Sequence, residues 1–404
     1  MKRNRPNSRR EFLRCLALGG LAAVSPTLAP AEEWRRKKGE MWYRRLGRTG
    51  LFISEISLGG SPLPDWSLFR EIIERGVNYV DTSSSYSNGN SERQIGRLLK
   101  EVGRDKVFVC TKFHLRGNWD EKAIFRSVEG SLFRLGTDRV DVLAVHGASR
   151  PEDLVDERVT GAFERLKKEG KCLWSGLSCH ANHERVVRAA VDSGRYDVIQ
   201  LGYNVFDIEE PSREVETYDD YLGASRTRDL IRYAAARDVG MIAMKTLKVG
   251  GRRQNLEKYR TGDVSLFQAM LKWVLEEKDV SSAVTEMLNR RQMEEDLGVA
   301  GRPLTVEERT TLFRHVAENG RDYCRLCGRC QAGCPSGTAT ADILRYLAYH
   351  ESYGKSAAAR AHYSKLQPGR TAPACRDCGC CESRCRFGVR VRERIRLAHQ
   401  ILSG

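Results

Sequence analysis

The sequence predicts an α/β protein in which a (β/α)8 barrel is followed by a small α-helical domain. The chain has 404 residues, which is too long for one compact core and indicates a large domain with a smaller one. From residue 44 to about residue 300, short apolar runs alternate with longer amphipathic stretches, as in a parallel sheet whose strands are connected by helices. Nine of the 13 cysteines lie after residue 320, which sets the C-terminal part apart.

Residues 1–31 have the properties of an export signal and are excluded from the predicted fold. The stretch Ser8-Arg9-Arg10-Glu11-Phe12-Leu13-Arg14 resembles the twin-arginine export motif. An apolar run at 15–24 follows, shorter than the ~20 residues that cross a bilayer, and Ala29-Pro30-Ala31 offers a cleavage site after Ala31. We expect export to the periplasm by the twin-arginine translocation machinery, with no permanent membrane span. The alternative is a basic N-terminal helix of a cytosolic protein.

Eight apolar runs supply the candidate strands of the barrel, which we place at residues 41–300. They are residues 53–58, 78–82, 107–111, 140–145, 173–177, 198–201, 240–244 and 281–284. Eight repeats over roughly 250 residues is the size of a (β/α)8 or TIM barrel. An open doubly wound sheet is the alternative, but its fingerprint G-x-G-x-x-G is absent after the first strand, so the barrel is favoured.

Four polar residues are predicted to meet at the carboxyl-terminal mouth of the barrel. Asp81 ends the second strand, Tyr86 lies on the following loop, Lys112 ends the third strand and His146 ends the fourth. Residues just past the strand ends share one face of a barrel, so these side chains should converge. Each alone is more often structural, since a strand-end Asp or Lys is usually half of a salt bridge.

The residues around this quartet resemble the aldo-keto reductase family. The match consists of Val80-Asp81-Thr82-Ser83-Ser84-Ser85-Tyr86, then Asn88-Gly89-Asn90-Ser91-Glu92, Thr111-Lys112 and Val145-His146. The resemblance covers the whole predicted barrel. It implies an enzyme that reduces a carbonyl or oxidises an alcohol, with NADP(H) as the expected cofactor.

Carbonyl reduction explains these four residue types. Hydride arriving at carbon leaves negative charge on oxygen, which needs hydrogen bonds and a proton. The resemblance implies that Tyr86 donates the proton, and a neighbouring Lys112 ammonium should stabilise the phenolate and lower the pKa of Tyr86. Asp81 would hold Lys112, and neutral His146 would give the oxygen a second hydrogen bond.

The resemblance also implies contacts to the nicotinamide end of the cofactor. Ser178 and Gln200 match polar residues that hold the carboxamide, and Met244 stands where an aromatic residue usually stacks on the ring. The sequence departs from the family again at Cys179, where Asn is common, and at Glu286, where Gly is common. A carboxylate near a phosphate-binding loop would repel the cofactor.

A charged stretch near residue 290 resembles the helix that grips adenosine and its 2'-phosphate. Asn289, Gln292 and Asp296 are its predicted contacts, and Arg290 or Arg291 can pair with phosphate. An ordinary charged helix face is the alternative.

The C-terminal cysteines predict two 4Fe-4S clusters. Cys324, Cys327, Cys330 and Cys334 precede Pro335 in a C-x2-C-x2-C-x3-C-P run, the bacterial ferredoxin pattern. Cys375, Cys378, Cys381 and Cys385 repeat the spacing, with Arg386 in place of proline, and Cys380 falls outside it. In this pattern the fourth thiolate of each run crosses to the partner cluster. Zinc is the main alternative, the close spacing argues against disulfides, and Cys110, Cys172 and Cys179 are expected to pack inside the barrel.

Residues 301–404 are predicted to form a small α-helical domain. Residues 341–366 are alanine-rich and helix-forming, and a further helix is expected at 391–402. This domain resembles the helical dicluster ferredoxins. Residues 374–389 also resemble the tail of an iron-sulfur subgroup of aldo-keto reductases, apart from Cys380 and Arg386.

The chain is strongly basic, with 68 Lys and Arg against 53 Asp and Glu and a formal charge of +15. Each oxidised cluster with four thiolates adds about two negative charges. We therefore expect the C-terminal arginines to offset the clusters or to face an acidic redox partner protein. No stacking aromatics interleave with the basic residues, which argues against nucleic acid as a partner.

The leading hypothesis is an oxidoreductase for a small carbonyl or alcohol substrate. Its clusters would exchange electrons with an outside partner or stabilise the C-terminal domain. The alternative is an exported iron-sulfur electron-transfer protein whose barrel is a binding or docking module. A cofactor-sensing interaction protein is the third, because some members of the family bind nicotinamide as regulatory subunits.

Overall fold

A computed structural model describes most of the chain after residue 32. The described residues are 33–115, 119–179, 182–207, 225–247, 256–259, 265–325, 327–352 and 354–404. The chain divides into two compact units, Met1–Trp34 and Arg35–Gly404, and the elements below belong to the second. The predicted export signal at 1–31 lies outside the described residues.

An antiparallel sheet that the sequence analysis did not predict precedes the barrel. Its strands are β1 (Arg35–Lys38), β2 (Met41–Arg45) and β3 (Phe52–Ser54), in the order β1-β2-β3. The predicted first strand is split at Glu55, between β3 and the first barrel strand. Glu55 is buried, and it accepts hydrogen bonds from Arg44 Nε at 2.7 Å and from the Gly301 N–H at 2.8 Å. The chain bends at this buried ion pair, which an apolar alternation cannot reveal.

Parallel strands close into a barrel, as predicted. They are β4 (Ile56–Gly59), β5 (Tyr79–Asp81), β6 (Phe108–Phe113), β7 (Val140–Ala148), β8 (Cys172–Cys179), β9 (Val198–Gly202), β10 (Gly240–Met244) and β11 (Val280–Thr285). Each strand pairs with the next in chain order, and β11 pairs with β4 to complete the circle. Seven of the eight predicted strands fall on one of these elements, and the first, at 53–58, is divided between β3 and β4.

Side chains from the strands fill the barrel interior. Tyr79, Cys110 and Val142 form one cluster with Leu46 and Ile53, which come from the N-terminal sheet and its connecting segment. A Cβ added to Gly240, the first residue of β10, would lie 2.6 Å from the Leu46 Cδ1, so this close approach needs glycine. The N-terminal sheet therefore closes the end at which the strands begin, and the open mouth is at the other end.

Helices cover the outside of the barrel. They include α1 (Trp66–Glu74), α2 (Asn90–Val102), α3 (Glu121–Leu135), α4 (Pro151–Leu154), α5 (Glu157–Lys168), α6 (His183–Asp192), α7 (Arg226–Ala235), α8 (Leu266–Glu276) and α9 (Arg290–Leu297). Several begin at an Asp, Ser or Asn whose side chain accepts a hydrogen bond from the first turn, as N-caps do. Their apolar faces pack on the strands in one continuous core.

The C-terminal region is helical. Its helices include α10 (Val306–Asn319), α11 (Arg329–Ala332), α12 (Thr340–Glu351), α13 (Ser356–Tyr363), α14 (Cys380–Ser383) and α15 (Val391–Leu402). The helical stretch predicted at 341–366 is thus two helices, α12 and α13, which Gly354 separates with a φ of 60°. Helix α10 joins the barrel core through Leu312 and Val316, whereas α12 and α15 build a second apolar core.

Within the described part of the chain, no helix combines the length and the apolar character that crossing a membrane requires.

Candidate active site

A buried ion pair anchors the barrel mouth. Asp81 is the last residue of β5, and Lys112 lies near the end of the neighbouring β6. The Lys112 ammonium donates to an Asp81 carboxylate oxygen and, at 2.8 Å, to the Thr82 carbonyl. The same Asp81 oxygen accepts a hydrogen bond from Gln200 Nε2 at 2.8 Å. Groups from three strands therefore fix the position of the ammonium.

Tyr86 and His146 lie beside this pair. The Lys112 Nζ is 5.2 Å from the centroid of the Tyr86 ring. The Tyr86 and His146 rings meet edge to face, with centroids 5.5 Å apart and an interplanar angle of 85°. His146 Nδ1 is 2.9 Å from the Ser83 hydroxyl, which orients the imidazole. The structure thus brings the four predicted residues together.

The loop that presents Tyr86 has an unusual backbone conformation. Ser87 and Asn88 follow Tyr86 with φ values of 50° and 52°, in the left-handed region that costs side-chain-bearing residues roughly 1–2 kcal/mol each. Buried Glu92 stabilises the start of the next helix, because it accepts hydrogen bonds from the Thr111 hydroxyl at 2.5 Å and from Arg134 Nε at 2.6 Å. The matched residues Thr111 and Glu92 therefore support the loop that carries Tyr86.

Burial controls the titration of this group of residues. It raises the pKa of Tyr86 to about 12, and the Lys112 ammonium opposes that rise. Burial also acts against the charged form of Lys112, but the Asp81 carboxylate and Tyr86 outweigh it and raise the Lys112 pKa. Lys112 lowers the pKa of Tyr86 as predicted, but desolvation, which the sequence analysis did not consider, outweighs it. Tyr86 is a neutral phenol and Lys112 is charged at neutral pH.

Sequence reasoning missed His114, which follows the end of β6. Its ring stacks on His146 with centroids 4.2 Å apart and an interplanar angle of 21°. Its only signal in the sequence is its position just past a strand end. Two imidazoles and a phenol thus form one aromatic wall beside the Lys112 ammonium.

The residues predicted to meet the nicotinamide lie on neighbouring strands at the mouth. Ser178 Oγ accepts a hydrogen bond from the Gly147 N–H at 2.9 Å, beside His146. Gln200 donates to Asp81 and, at 3.3 Å, to the Tyr79 hydroxyl. Met244 is the half-buried last residue of β10, directly beside β9. The three residues therefore lie on three neighbouring strands, β8, β9 and β10, toward the strand ends that carry the quartet.

The residues predicted to hold adenosine lie on and next to α9. Asn289 accepts a hydrogen bond from the Gln292 N–H at 3.0 Å, and Gln292 accepts one from the Leu288 N–H at 2.8 Å. Asp296 is fully buried, and Arg290 pairs with Glu71 at 2.5 Å. Asn289 and Gln292 thus cap the helix. A cofactor that contacted these two side chains would share them with the helix cap.

The two C-terminal cysteine runs pack against each other. Cys330 on α11 and Cys381 on α14 are buried in the second apolar core. Cys330 lies within electrostatic range of Cys327 and Cys385, Cys378 of Cys334, and Cys381 of Cys330 and Cys375. The last cysteine of each run therefore lies beside the other run.

Hydrogen-bond donors point at several of these sulfurs. The Thr340 hydroxyl is 3.3 Å from Cys330 Sγ, and the N–H groups of Asp377 and Val389 are 3.4 Å from Cys375 Sγ and Cys385 Sγ. No disulfide joins the cysteines among the described residues, and Cys110, Cys172 and Cys179 are buried in the barrel as predicted. In the same described ranges, no three His, Cys, Asp or Glu side chains meet closely enough to hold a metal ion.

The match to a known family lies within the barrel. Residues 67–263 match the aldo/keto reductase family. The chain is 27% identical over 302 residues to the uncharacterized oxidoreductase YqkF of Bacillus subtilis (strain 168), spanning 68% of this chain and 97% of that protein. It is 26% identical over 321 residues to the NADH-specific methylglyoxal reductase of Escherichia coli (strain K12), with the same two coverages of 68% and 97%.

A solved structure agrees in fold. The aldo-keto reductase from Klebsiella pneumoniae in complex with NADP and acetate superposes with a TM-score of 0.52 at 22% identity, covering 67% of this chain and 94% of that one. These alignments leave about a third of this chain uncovered.

Proposed function

We propose that this chain is an oxidoreductase of the aldo/keto reductase type, which interconverts a small carbonyl compound and its alcohol at the barrel mouth, because residues 67–263 match that family. The observation that carries the proposal is the Lys112 ammonium, which Asp81 holds 5.2 Å from the Tyr86 ring centroid. His146 completes the group at 5.5 Å from Tyr86. Such a set can both protonate and stabilise an oxygen on which negative charge develops.

Tyr86 acts as the proton donor in the reducing direction. Its pKa of about 12 keeps the proton on the phenol at neutral pH, so the donor form is the resting form. When the proton leaves, Lys112 stabilises the phenolate, because an opposite charge favours the ionised group. His146, oriented by Ser83, donates a hydrogen bond to the same substrate oxygen. In the oxidising direction, the phenolate accepts the proton of the alcohol.

A nicotinamide cofactor, proposed as NADP(H), would supply the hydride. Ser178 and Gln200 offer buried hydrogen-bonding groups at the mouth and suit a carboxamide, while half-buried Met244 offers an apolar contact for the ring. At the other end, Asn289, Gln292 and Asp296 would hold the adenosine. Two similar proteins, the Klebsiella pneumoniae reductase in complex with NADP and the NADH-specific methylglyoxal reductase of Escherichia coli, support a nicotinamide cofactor.

We further propose that the C-terminal cysteines hold two 4Fe-4S clusters, which carry one electron each. One set is Cys324, Cys327, Cys330 and Cys385, and the other is Cys375, Cys378, Cys381 and Cys334. The run spacing supports this assignment, and so does the proximity of Cys385 to Cys330 and of Cys334 to Cys378. Thiolate ligands carry negative charge, and the hydrogen-bond donors around the sulfurs would stabilise that charge. A cluster spreads its thiolates over four irons, a wider arrangement than the tight group around a single ion.

Replacing Tyr86 with Phe tests the catalytic proposal. Loss of a general acid typically costs 10²–10⁴-fold, so NADPH-dependent reduction of a small carbonyl such as methylglyoxal should fall by at least about 100-fold. The control is Tyr233→Phe, which removes a phenol hydroxyl from α7 on the outside of the barrel. A Tyr86→Phe protein that reduces the carbonyl at the wild-type rate would refute the assignment.

Electron paramagnetic resonance of the anaerobically purified, reduced protein tests the clusters, together with its iron content. Two clusters correspond to about eight irons per chain. Cys378→Ala should remove one cluster, whereas Cys380→Ala, which changes the cysteine outside the pattern, should remove neither. Protein that contains zinc and no iron after anaerobic purification would contradict the proposal.

Export by the twin-arginine route to the periplasm also stands as a proposal. It rests on the sequence of residues 1–31. A reporter fused behind these residues should reach the periplasm, and replacing Arg9 and Arg10 together with Lys should block that transport. Unchanged transport of the double variant would argue against this route.

A further inference from the structure

A chain of hydrogen bonds crosses the interior of the barrel beneath the active site. Gln200 lies on β9, and Tyr79 and Asp81 lie on β5. Three strands separate β5 from β9 in either direction around the closed barrel, so these two strands face each other across it. Gln200 Nε2 is 2.8 Å from Asp81 Oδ1 and 3.3 Å from the Tyr79 hydroxyl oxygen. Gln200 therefore makes two contacts to the opposite strand.

The members of this chain are withdrawn from water. Tyr79, Gln200 and Asp81 are all buried. Tyr79 precedes Asp81 by two residues, so its side chain lies on the same face of the strand, one layer deeper, in the apolar cluster inside the barrel. Burial raises the pKa of Tyr79, so its hydroxyl stays neutral and can accept a hydrogen bond. Water cannot readily replace a hydrogen bond lost at such a depth.

The partners fix the orientation of the Gln200 amide. An ionised carboxylate only accepts hydrogen bonds, so the amide nitrogen and not the amide oxygen must face Asp81. The nitrogen carries two hydrogens. One is donated to Asp81 and the other to the Tyr79 hydroxyl, with Cys110 Sγ at 3.6 Å as a weaker acceptor. Both donors are thus used inside the barrel, and turning the amide would break both bonds.

Asp81 needs this support because strand β5 is short. It has three residues, fewer than any other strand of the barrel, and Asp81 is the last of them before the loop that carries Tyr86. The Lys112 ammonium donates to Asp81 and to the Thr82 carbonyl, both at this strand end. The same Asp81 oxygen accepts from Lys112 and from Gln200. A shift of Asp81 therefore displaces the positive charge beside Tyr86.

We propose that Gln200 and Tyr79 are positioning residues for the active site. Gln200 holds Asp81 from the opposite strand, and Tyr79 holds the amide of Gln200. Asp81 in turn keeps the Lys112 ammonium beside the Tyr86 ring. The inference rests on the catalytic roles proposed above for Lys112 and Tyr86. It gives Gln200 an inward function besides the nicotinamide contact that the family resemblance implies.

Replacing Tyr79 with Phe tests the chain at its deepest member. The change keeps the ring and removes only the acceptor for Gln200. At saturating NADPH and carbonyl substrate, kcat for reduction should fall by about 2- to 10-fold, which corresponds to one ordinary hydrogen bond. The matched control is Tyr196→Phe, because Tyr196 is also fully buried and its hydroxyl donates to the Leu154 carbonyl at 2.9 Å, before the start of β9. Both variants should unfold at a lower temperature, but Tyr196→Phe should keep the wild-type kcat.

Two variants of Gln200 separate positioning from loss of packing. Gln200→Met keeps the length of the side chain and removes both donors, so kcat should fall by at least about tenfold, since a hydrogen bond to a charged group is lost. In Gln200→Glu, a protonated carboxyl can again donate to Asp81, and two neighbouring carboxyls favour keeping one proton. Reduction by Gln200→Glu should therefore exceed that by Gln200→Met at low pH and fall toward it as the proton is lost. Gln200→Met should show no such recovery.

Crystal structures of the full-length wild type and of Gln200→Met give a readout that does not depend on turnover. In Gln200→Met, the Asp81 carboxylate should leave its place and the Lys112 ammonium should move with it. An unmoved Asp81–Lys112 pair, or equal kcat in Tyr79→Phe and Tyr196→Phe, would overturn the positioning role. Equal kcat of Gln200→Glu and Gln200→Met at every pH from about 5 to 10 would overturn it too. Wild-type protein that reduces no carbonyl would refute the proposed function, and the two crystal structures would still decide what holds Asp81.

Discussion

Replacing Lys112 with Met removes the charge that faces the Tyr86 phenol. The Lys112 Nζ is 5.2 Å from the ring centroid. At an effective dielectric constant of about 20, Coulomb's law gives about 3 kcal/mol between charges at that separation. This energy corresponds to a factor on the order of 100 in the ionisation of the phenol. Alcohol oxidation, which needs the phenolate as its base, should therefore slow by roughly 100-fold in Lys112→Met.

Carbonyl reduction and alcohol oxidation should depend differently on pH. Tyr86 has a pKa of about 12, so it remains protonated throughout the ordinary working range. Carbonyl reduction, which uses the protonated phenol, should be nearly flat from about pH 6 to pH 10. Alcohol oxidation should rise about tenfold per pH unit over the same range, because the phenolate population rises in that proportion. Lys112→Met should lower the oxidation profile and keep its slope.

The assay is kcat/KM for alcohol oxidation with NADP+ and for carbonyl reduction with NADPH across this range of pH. Lys112 is buried against Asp81, so thermal unfolding and iron content must first show that the variant is folded. A second variant, Lys112→Ala, provides the control, since added methylammonium can occupy the vacated volume and restore a charge. Oxidation that is unchanged in Lys112→Met, or a loss in Lys112→Ala that methylammonium does not rescue, would refute the electrostatic role.

Three further predictions concern positioning and stability. His114→Ala removes the ring stacked on His146 and should lower kcat/KM for carbonyl reduction by up to about tenfold. The Tyr233→Phe protein is the control. An unchanged kcat/KM in His114→Ala would exclude a positioning role for this ring. Arg44→Met removes the main cation of buried Glu55 and should lower the free energy of unfolding by roughly 3 kcal/mol in denaturant titration. Arg70→Met, which breaks an exposed ion pair on a helix, should cost about 1 kcal/mol or less. Equal losses in the two variants would contradict the argument from burial. Gly96→Ala places a methyl group 2.4 Å from the Leu135 carbonyl oxygen and should destabilise the fold by roughly 1–3 kcal/mol. Gly161→Ala, whose new methyl group meets nothing within 4 Å, should stabilise the fold by up to about 1 kcal/mol. A change of the same sign in both variants would show that helix packing does not decide the effect.

The barrel could be predicted because its strands are buried on both faces, so each appears in the sequence as a short apolar run. The quartet at the mouth could be predicted because strand ends share one face of a barrel, which converts positions in the sequence into positions in space. Asp81, Lys112 and His146 each lie at such an end.

The features that the sequence did not reveal depend on pairing and packing that the local residue pattern does not express. Strand β1 consists of Arg35, Arg36, Lys37 and Lys38, a basic run typical of a loop, and it becomes a strand by pairing with β2. The bend at Glu55 depends on Arg44, which also donates to the Leu275 carbonyl at 2.7 Å. The net rise in the Tyr86 pKa arises because desolvation depends on how the loop packs, which no spacing of residues expresses.

The ligation proposed above, in which Cys334 and Cys385 each serve the other run, has a consequence for how the C-terminal domain can be divided. Under the proposed ligation, a cut anywhere between residues 335 and 374 would leave each fragment with three thiols of one centre and one thiol of the other. Neither fragment would retain a complete set, so the two centres should be gained and lost as a pair. A protein with one intact centre should arise only from a point substitution, and no single-centre module can be excised from this chain.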